Sequence, residues 1–450
     1  MEDGKDNAAD PEDHVIYVIS DLHIGGDEQL EEVDFLPELL GFLRRLEETD
    51  EDAELVINGD VFGFWELTTR EGTEKFDILT ETYPELFEQL KATGENVEIT
   101  VIPGNHDHDL AAYPEYEELL DKYNIKLNRS ESTTRQVGSH TVYFEHGHQR
   151  DPNNRIEDWG NPQEKPLGYY LNTRVTSRAG KLSHRGRYNW LKDLQAITPT
   201  ERIPVWMLSK YFYREMNPIL RYALAPFLLL FYVSMLIAVI AGLGLSGIWE
   251  TPIRWTTDFL RNFGAAGTAI WALLAVDIAV GGLLLLIAVP LHLIRNDIKK
   301  TFDRFGVFET DITVNPDQPY VETAKEIFQD NPEVSVYCYG HTHRTSLKEV
   351  EGRFLVNTGT WLKRLHRRDG VIGLLPPVFY PSYQLSAVRL AANGNGELNI
   401  EFQEIEKPSP GTDELTLTER LLTLGRAPDP GLPERVTVKN PGERSKDKPK

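Results

Sequence analysis

The chain has 450 residues and a formal charge of −23, which argues against a nucleic-acid-binding surface over most of the molecule, because phosphate backbones select for Lys and Arg. Its single cysteine, Cys338, excludes an intramolecular disulfide and any cysteine-based zinc cluster, and suits a reducing compartment. The length allows two or three ordinary domains, or one large domain with insertions, and an acidic surface of this kind also keeps a protein soluble in a salt-rich host.

Residues 1–14, MEDGKDNAADPEDH, are acidic where an export signal is basic and then apolar, so no cleaved signal is expected and the segment reads as a disordered N-terminus. Next come three β-rich runs, VIYVIS at 15–20, ELVIN at 54–58 and VEITVI at 97–102, separated by FLPELLGFLRRLEE and YPELFEQLKAT, whose apolar spacing suits amphipathic helices. This alternation predicts a layered α/β domain over 15–151, closing on TRQVGSHTVYFEHG as a hairpin.

Residues 152–217 carry eleven Lys and Arg against six Asp and Glu in an otherwise acidic chain, with no acid between Lys165 and Lys192. They are expected to form a basic helical cap that lies on anionic headgroups or simply presents a solvated basic face. A transmembrane hairpin follows over 218–296. Ala223 to Trp249 holds no charged residue, and Asn262 to Ile294 holds only Asp277; each run exceeds the roughly 20 apolar residues that cross a bilayer. Lys210, Arg214, Arg221, Arg295, Lys299, Lys300 and Arg304 flank the outer ends, against Arg254 and Arg261 in the linker, so both soluble parts are expected to face the cytoplasm from the cell membrane. Trp206, Tyr211, Phe212 and Tyr213 would sit in an interfacial belt. Asp277, expensive in a bilayer unless partnered, is expected to be protonated, or to face Ser234 or a second copy of the hairpin. The soluble pattern resumes over 297–406, with a helix around ETAKEIFQDN and strands VSVYCYG, RFLVNTG, YQLSAVRL and ELNIEFQEI. From Lys407 the Pro-rich, charged chain reads as a disordered tail.

Polar clusters stand at the ends of the apolar runs: Asp21 and His23 in SDLHIGG, Asp60 in NGDVFGFWE, Asn105, His106 and Asp107 in PGNHDHD, His146 and His148 in EHGHQRDPNN, and His341 and His343 in YGHTHRT. Loops at strand C-terminal ends converge on one sheet edge. Nitrogen and oxygen donors without sulfur suit a pair of divalent cations, Mn²⁺, Zn²⁺ or Fe²⁺, better than a structural zinc.

The series Asp21-Leu22-His23, Gly59-Asp60, Gly104-Asn105-His106-Asp107, His146 and Gly340-His341-Thr342-His343 resembles the calcineurin-like metallophosphoesterase superfamily, over about 15–155 and 320–362. The aromatic run after Asp60, with SDLHIGG, looks similar to its UDP-2,3-diacylglucosamine pyrophosphatase branch. The resemblance implies a four-layer α/β/β/α sandwich, here interrupted by the two-helix hairpin. It implies that Asp21, His23 and His343 hold one metal, that Asn105, His146 and His341 hold the second, and that Asp60 bridges them. It further implies that His106, oriented by Asp107, assists the leaving group, while two cations about 3.5–4 Å apart clamp the phosphate and activate water as hydroxide.

His148, Asp151, Asn154, Arg155, Arg178 and Arg185 are candidate substrate contacts. Arg174, Arg187 and the run WLKRLHRR at 361–368 offer further guanidiniums for an anionic headgroup. The expected function is hydrolysis of a phosphomonoester or pyrophosphate by a membrane-anchored enzyme, with a lipid-linked substrate favoured. The alternatives are a phosphodiesterase acting on soluble nucleotides and a metal-binding scaffold without turnover.

Overall fold

Along β1 (Val15–Ile19) successive side chains enter two different cores: Val15, Tyr17 and Ile19 point to one, Ile16 and Val18 to the other. A strand buried on both faces must lie inside a layered stack, and this two-sided burial organises the fold. The computed structural model describes residues 14–25, 33–68, 70–176, 202–221, 258–305, 317–371, 375–408, 413–426 and 431–439, with isolated positions between them, Ser234 included.

β1, β2 (Ala53–Asn58), β3 (Glu98–Ile102) and β4 (Ile125–Leu127) are parallel neighbours, and their sheet continues on the other side of β1 through strands from the far end of the chain. The helices between them place apolar residues at helical spacing. Leu36–Glu47 opens with Pro37 in its first turn and buries Leu39, Leu40, Phe42, Leu43 and Leu46; Pro84–Thr93 starts on its proline and buries Leu86, Phe87 and Leu90. Both pack on the outer face of the sheet in the same core as Val15 and Tyr17.

A second sheet begins with the antiparallel hairpin β5 (Ser132–Val137) and β6 (His140–Glu145). β7 (Val334–Tyr339) lies parallel to β6, with Val142, Tyr143 and Phe144 opposite Val336, Tyr337 and Cys338. Nearly 190 residues of chain therefore separate two hydrogen-bonded neighbours, which brings the two parts of the domain into one sheet. β8 (Ser346–Val350) and β9 (Arg353–Asn357) complete the order β5-β6-β7-β9-β8. The two sheets enclose a core of Ile16, Val18, Val56, Ile102, Val142, Phe144, Val336, Cys338 and Val356. Helix Gln318–Asp330 covers the outer face of the second sheet through Tyr320, Ala324, Ile327 and Phe328. The layers thus run helices, sheet, sheet, helix.

Three features differ from expectation. β10 (Arg364–Arg368) and β11 (Val378–Ser382) form a separate two-stranded ribbon. The tail read as disordered instead supplies helix Leu417–Leu422, started by a Thr416–Glu419 capping box, and a sheet edge: beyond β12 (Ser386–Ala392) and β13 (Leu398–Glu404), β14 (Val436–Val438) pairs with β13 and buries Val438. Finally, Trp206, Phe212 and Tyr213, expected in a membrane belt, are core residues. Trp206, on helix Ile203–Lys210, packs with Leu365 and Phe379, whereas Phe212 and Tyr213 pack with Val378 and Tyr380.

Residues 1–13 and 177–192 and most of 222–257, which include most of the first expected span, lie outside the described residues. Among the described residues one helix is long and apolar enough to cross a membrane. Within Gly264–Phe305 the stretch Gly264–Leu283 has mean hydropathy 1.8 and is 22% buried. Asp277 on it is buried and accepts a 3.0 Å hydrogen bond from Ser234 Oγ, one of the partners expected for it.

Candidate metal centre

The parallel strands β1, β2 and β3 end at one edge, and β6 and β7 end beside them, so each polar cluster emerges there. Asn58, the last residue of β2, fastens the two sheets at this edge: its amide donates to Glu145 O at 2.9 Å and Cys338 O at 3.4 Å. The turns after these strands are unusual. Asp21, His23, Asp60, His341 and His343 all adopt positive φ, between 47° and 64°. Non-glycine residues rarely sit in this region, and such strain gathers at functional sites.

Those turns bring three groups of ligand atoms within binding reach: Asp21, His23 and His343; Asp60, His146 and His341; and His23, Glu66 and His106. His343 Nε2 lies 3.2 Å from Asp21 Oδ1 and 3.2 Å from His23 Nε2, an arrangement that calls for a proton or a cation between the rings. Asp60 Oδ2 stands 3.6 Å from His23 Nε2 and 3.1 Å from His146 Nε2, so one carboxylate faces both groups. His146 Nδ1 donates to Asn58 O at 2.9 Å, which turns Nε2 toward Asp60. Burial lowers the affinity of His146 for a proton, but the adjoining Asp60 carboxylate outweighs it and the pKa rises to about 10; burial, helped by His106, pushes His23 down to about 3.

The donor set fits a cation pair. Asn105 is fully buried and neither atom of its amide has a hydrogen-bond partner, a cost of about 1–3 kcal/mol per group that a metal ligand avoids. The donors are nitrogen and oxygen, and Cys338 is sequestered between the sheets. Gly104 and Gly340 keep the cradle open, since a Cβ at either position would run into Asp60 or Asp21.

His106 occupies the mouth of this cluster. Its ring meets His23 edge-on at 4.5 Å and stacks on Trp65 at 4.3 Å, and its Nδ1 lies 3.0 Å from Glu66 Oε1. Burial disfavours its charged form, but Glu66 and then Asp60 outweigh burial and raise its pKa to about 9. Glu66, not Asp107, is therefore the carboxylate that orients His106. Asp107 is turned inward, where it accepts the N–H groups of Gly104 at 2.6 Å, Val61 at 2.7 Å and Phe62 at 3.2 Å and braces the loops that carry Asp60 and Asn105. Glu66 escaped the sequence reading because its partner lies 40 residues away; the only signal was the aromatic run that ends on it. Its Oε1 also accepts from Asn172 Nδ2 at 2.6 Å, so the basic insertion reaches the histidine through one carboxylate.

The expected substrate contacts fare differently. Asp151 is committed to the centre: Oδ2 accepts from His341 Nε2 at 3.1 Å and from Asn154 Nδ2 at 2.7 Å. Asp151 and Asn154 thus fix the ring of His341, one of the candidate ligands. His148 is fully buried with both ring nitrogens unpartnered, stacked on Trp159 at 5.2 Å. Nearby, His108 Nε2 accepts the Gly160 N–H at 3.1 Å. Arg155 is exposed, and Arg178, Arg185 and Arg187 lie outside the described residues. Beside Trp65 a cavity of about 600 Å³ opens, lined among others by Arg70, Lys75, Lys165, Tyr169 and Arg174.

Residues 14–218 match the model of the Calcineurin-like phosphoesterase family. No curated protein matches the chain. Among solved structures, a dimetal phosphatase from Danio rerio is 10% identical, with 95% of this chain and 99% of that one covered and a TM-score of 0.35. A predicted phosphoesterase from Streptococcus pneumoniae is 12% identical, over 94% and 97%, with a TM-score of 0.29. A single mutant of Vps29 from Entamoeba histolytica is 13% identical over 87% and 92%, with a TM-score of 0.25. Likenesses at these TM-scores carry no functional weight.

Proposed function

We propose that this chain, which carries a calcineurin-like phosphoesterase domain and is a metal-dependent phosphoesterase, hydrolyses a phosphomonoester or pyrophosphate bond in a membrane-borne substrate. The observation that carries the reading is the placement of Asp60, one of whose oxygens faces His23 on one side and His146 on the other. Two divalent cations bound there, of which Mn²⁺ suits the donors, supply charge neutralisation for phosphate oxygens and acidify water.

The chain's own groups do the rest. Asp21, His23 and His343 would hold one cation, and Asn105, His146 and His341 the other, with Asp60 shared between them. His106 presents the face of its ring to Trp65 and sets Nδ1 3.0 Å from the Glu66 carboxylate as a charge pair, so that Nε2 is the atom able to hand a proton to the leaving oxygen. Trp65 covers one face of the ring.

The membrane part of the reading is supported by the exposed apolar side chains of the long helix, Trp271, Val276, Leu283, Leu285 and Leu286 among them, and by the close approach of Gly281 to Met235. Paired spans keep both halves of the metal centre on one side, and the basic flanks favour the cytoplasm.

The test is hydrolysis of p-nitrophenyl phosphate and bis-p-nitrophenyl phosphate with Mn²⁺ by the purified chain and by Asp60→Ala and His106→Ala. Asp60→Ala is expected to abolish both activities, whereas His106→Ala, which removes a proton that a p-nitrophenolate leaving group hardly needs, should lower them far less, with the protein retained in carbonate-washed membranes. A Mn²⁺-loaded protein that turns over neither these nor lipid phosphates sinks the hydrolytic reading; release by carbonate sinks the membrane one.

A further inference from the structure

Helix Leu417–Leu422 uses one side to hold itself to the protein and presents the other outward. On the packing side, Leu415 and Leu422 join the cluster of Phe212, Tyr213, Val378 and Tyr380, and Glu419 is buried in the Thr416 capping box, 3.9 Å from Arg214. On the outward side Leu417 is 74% exposed, Leu421 66% and Leu424 65%, a spacing of four and then three residues that sets them in one stripe. Val371, 69% exposed, is fastened beside the helix by its N–H, which donates to Leu422 O at 2.9 Å.

The helix end holds the stripe in place. Gly425 N–H donates to Arg420 O at 2.9 Å and Leu424 N–H to Leu421 O at 3.3 Å, the paired bonds of a Schellman ending. The left-handed position of that ending favours glycine, yet Leu424 occupies it at φ 55°. A branched apolar side chain is thus kept in a costly backbone conformation and still points away from the core, and strain of this kind gathers where it is used.

The place of the helix says what covers the stripe. Leu422 packs in one cluster with Met216, and Met216 O accepts from the Arg221 guanidinium at 3.0 Å. Seven residues, no more than about 25 Å of chain even when fully extended, separate Met216 from Ala223, where the uncharged run begins. Between them Ile219 and Leu220 are 80% and 51% exposed, so the apolar surface continues along the chain toward that run. From Leu415 to Arg426 the one acid is the buried Glu419, whereas Arg420 and Arg426 are cations. Apolar side chains flanked by guanidiniums suit the boundary between headgroups and acyl chains in an anionic bilayer.

We propose that Leu417, Leu421, Leu424 and Val371 form a lipid-contacting face that lies in the bilayer interface and holds the phosphoesterase domain against the membrane surface. The proposal rests on reading the uncharged runs as spans. It gives the C-terminal segment a use: the helix is a second, interfacial attachment that fixes how the domain sits on the membrane, which spans joined by chain alone would leave free.

The test uses the full chain in nanodiscs of phosphatidylcholine and phosphatidylglycerol. Cys338 is buried between the sheets, so a thiol-reactive, polarity-sensitive NBD fluorophore reports on one introduced cysteine at a time: Leu417→Cys and Leu421→Cys on the stripe, Leu283→Cys on the long helix, and the exposed Glu95→Cys as control. With lipids that carry a nitroxide near the headgroup, both stripe labels are expected to lose at least about half their emission and the Glu95 label less than about a tenth. Quenching at Leu283 with none at Leu417 and Leu421 overturns the lipid face and leaves the spans standing. Blue-shifted stripe labels that the nitroxide does not quench show the stripe covered by protein, a second copy or another chain, and overturn it as well. Release of the chain by carbonate, with no quenching at Leu283, removes the spans; the released chain is then added to vesicles of the same lipids, where quenching at Leu417 and Leu421 upholds the face and its absence overturns that too.

Discussion

Glu66→Gln isolates the proton-transfer role of His106. Glu66 Oε1 lies 3.0 Å from His106 Nδ1 and accepts from Asn172 at 2.6 Å, in a setting closed to solvent. Glutamine keeps the volume and an acceptor oxygen, so the packing survives while the charge is lost. A hydrogen bond to a charged group contributes about 1.5–3 kcal/mol, and at 1.36 kcal/mol per decade that is a loss of roughly 10- to 150-fold in the oriented, protonated ring. The loss is expressed only where the leaving oxygen needs a proton. With glycerol 2-phosphate, kcat/KM should fall by about that factor; with p-nitrophenyl phosphate, whose phenolate departs unaided, it should stay within about threefold. Metal content, measured by atomic absorption, should be unchanged. Equal losses on both substrates would show that Glu66 supports the fold or the metals rather than the proton, and no loss on the alkyl ester would remove His106 from the proton path.

Asp151→Asn weakens the hold on His341 Nε2, and Mn²⁺ affinity by titration is expected to fall about 10- to 100-fold; a rise in KM with unchanged metal affinity would return Asp151 to a substrate role. Gly104→Ala sets a Cβ 2.7 Å from the Asp60 backbone nitrogen, so the bridging carboxylate is displaced and activity should drop about 100-fold, an expectation undone by a variant with full metal content and rate. Arg135→Ala removes the cation from the buried Glu54 carboxylate, which loses contacts of 2.9 and 3.0 Å and keeps only the Thr100 hydroxyl at 2.7 Å; urea unfolding should show about 3 kcal/mol less stability, and a loss under about 1 kcal/mol contradicts that account.

Much of the fold was legible because its signals are local. β1, β2 and β3 fall within a residue or two of runs recognisable by composition, and Pro37 and Pro84 mark helix starts that the structure keeps. The metal-ligand candidates were legible for the same reason: each follows a strand within a few residues, so the strand delivers it to the edge. β14 was hidden because three residues in a Pro-rich tail form a strand only when β13 offers an edge.

What the chain determines alone is which side chains arrive at the sheet edge, since that depends on short-range strand and turn preferences. What each one faces there is decided by tertiary packing. The Asp151–His341 contact spans 190 residues and Asn172–Glu66 spans 106. Those pairings arise from β6 lying parallel to β7 and from the insertion folding back over the edge, long-range contacts for which local sequence carries no periodicity and no motif.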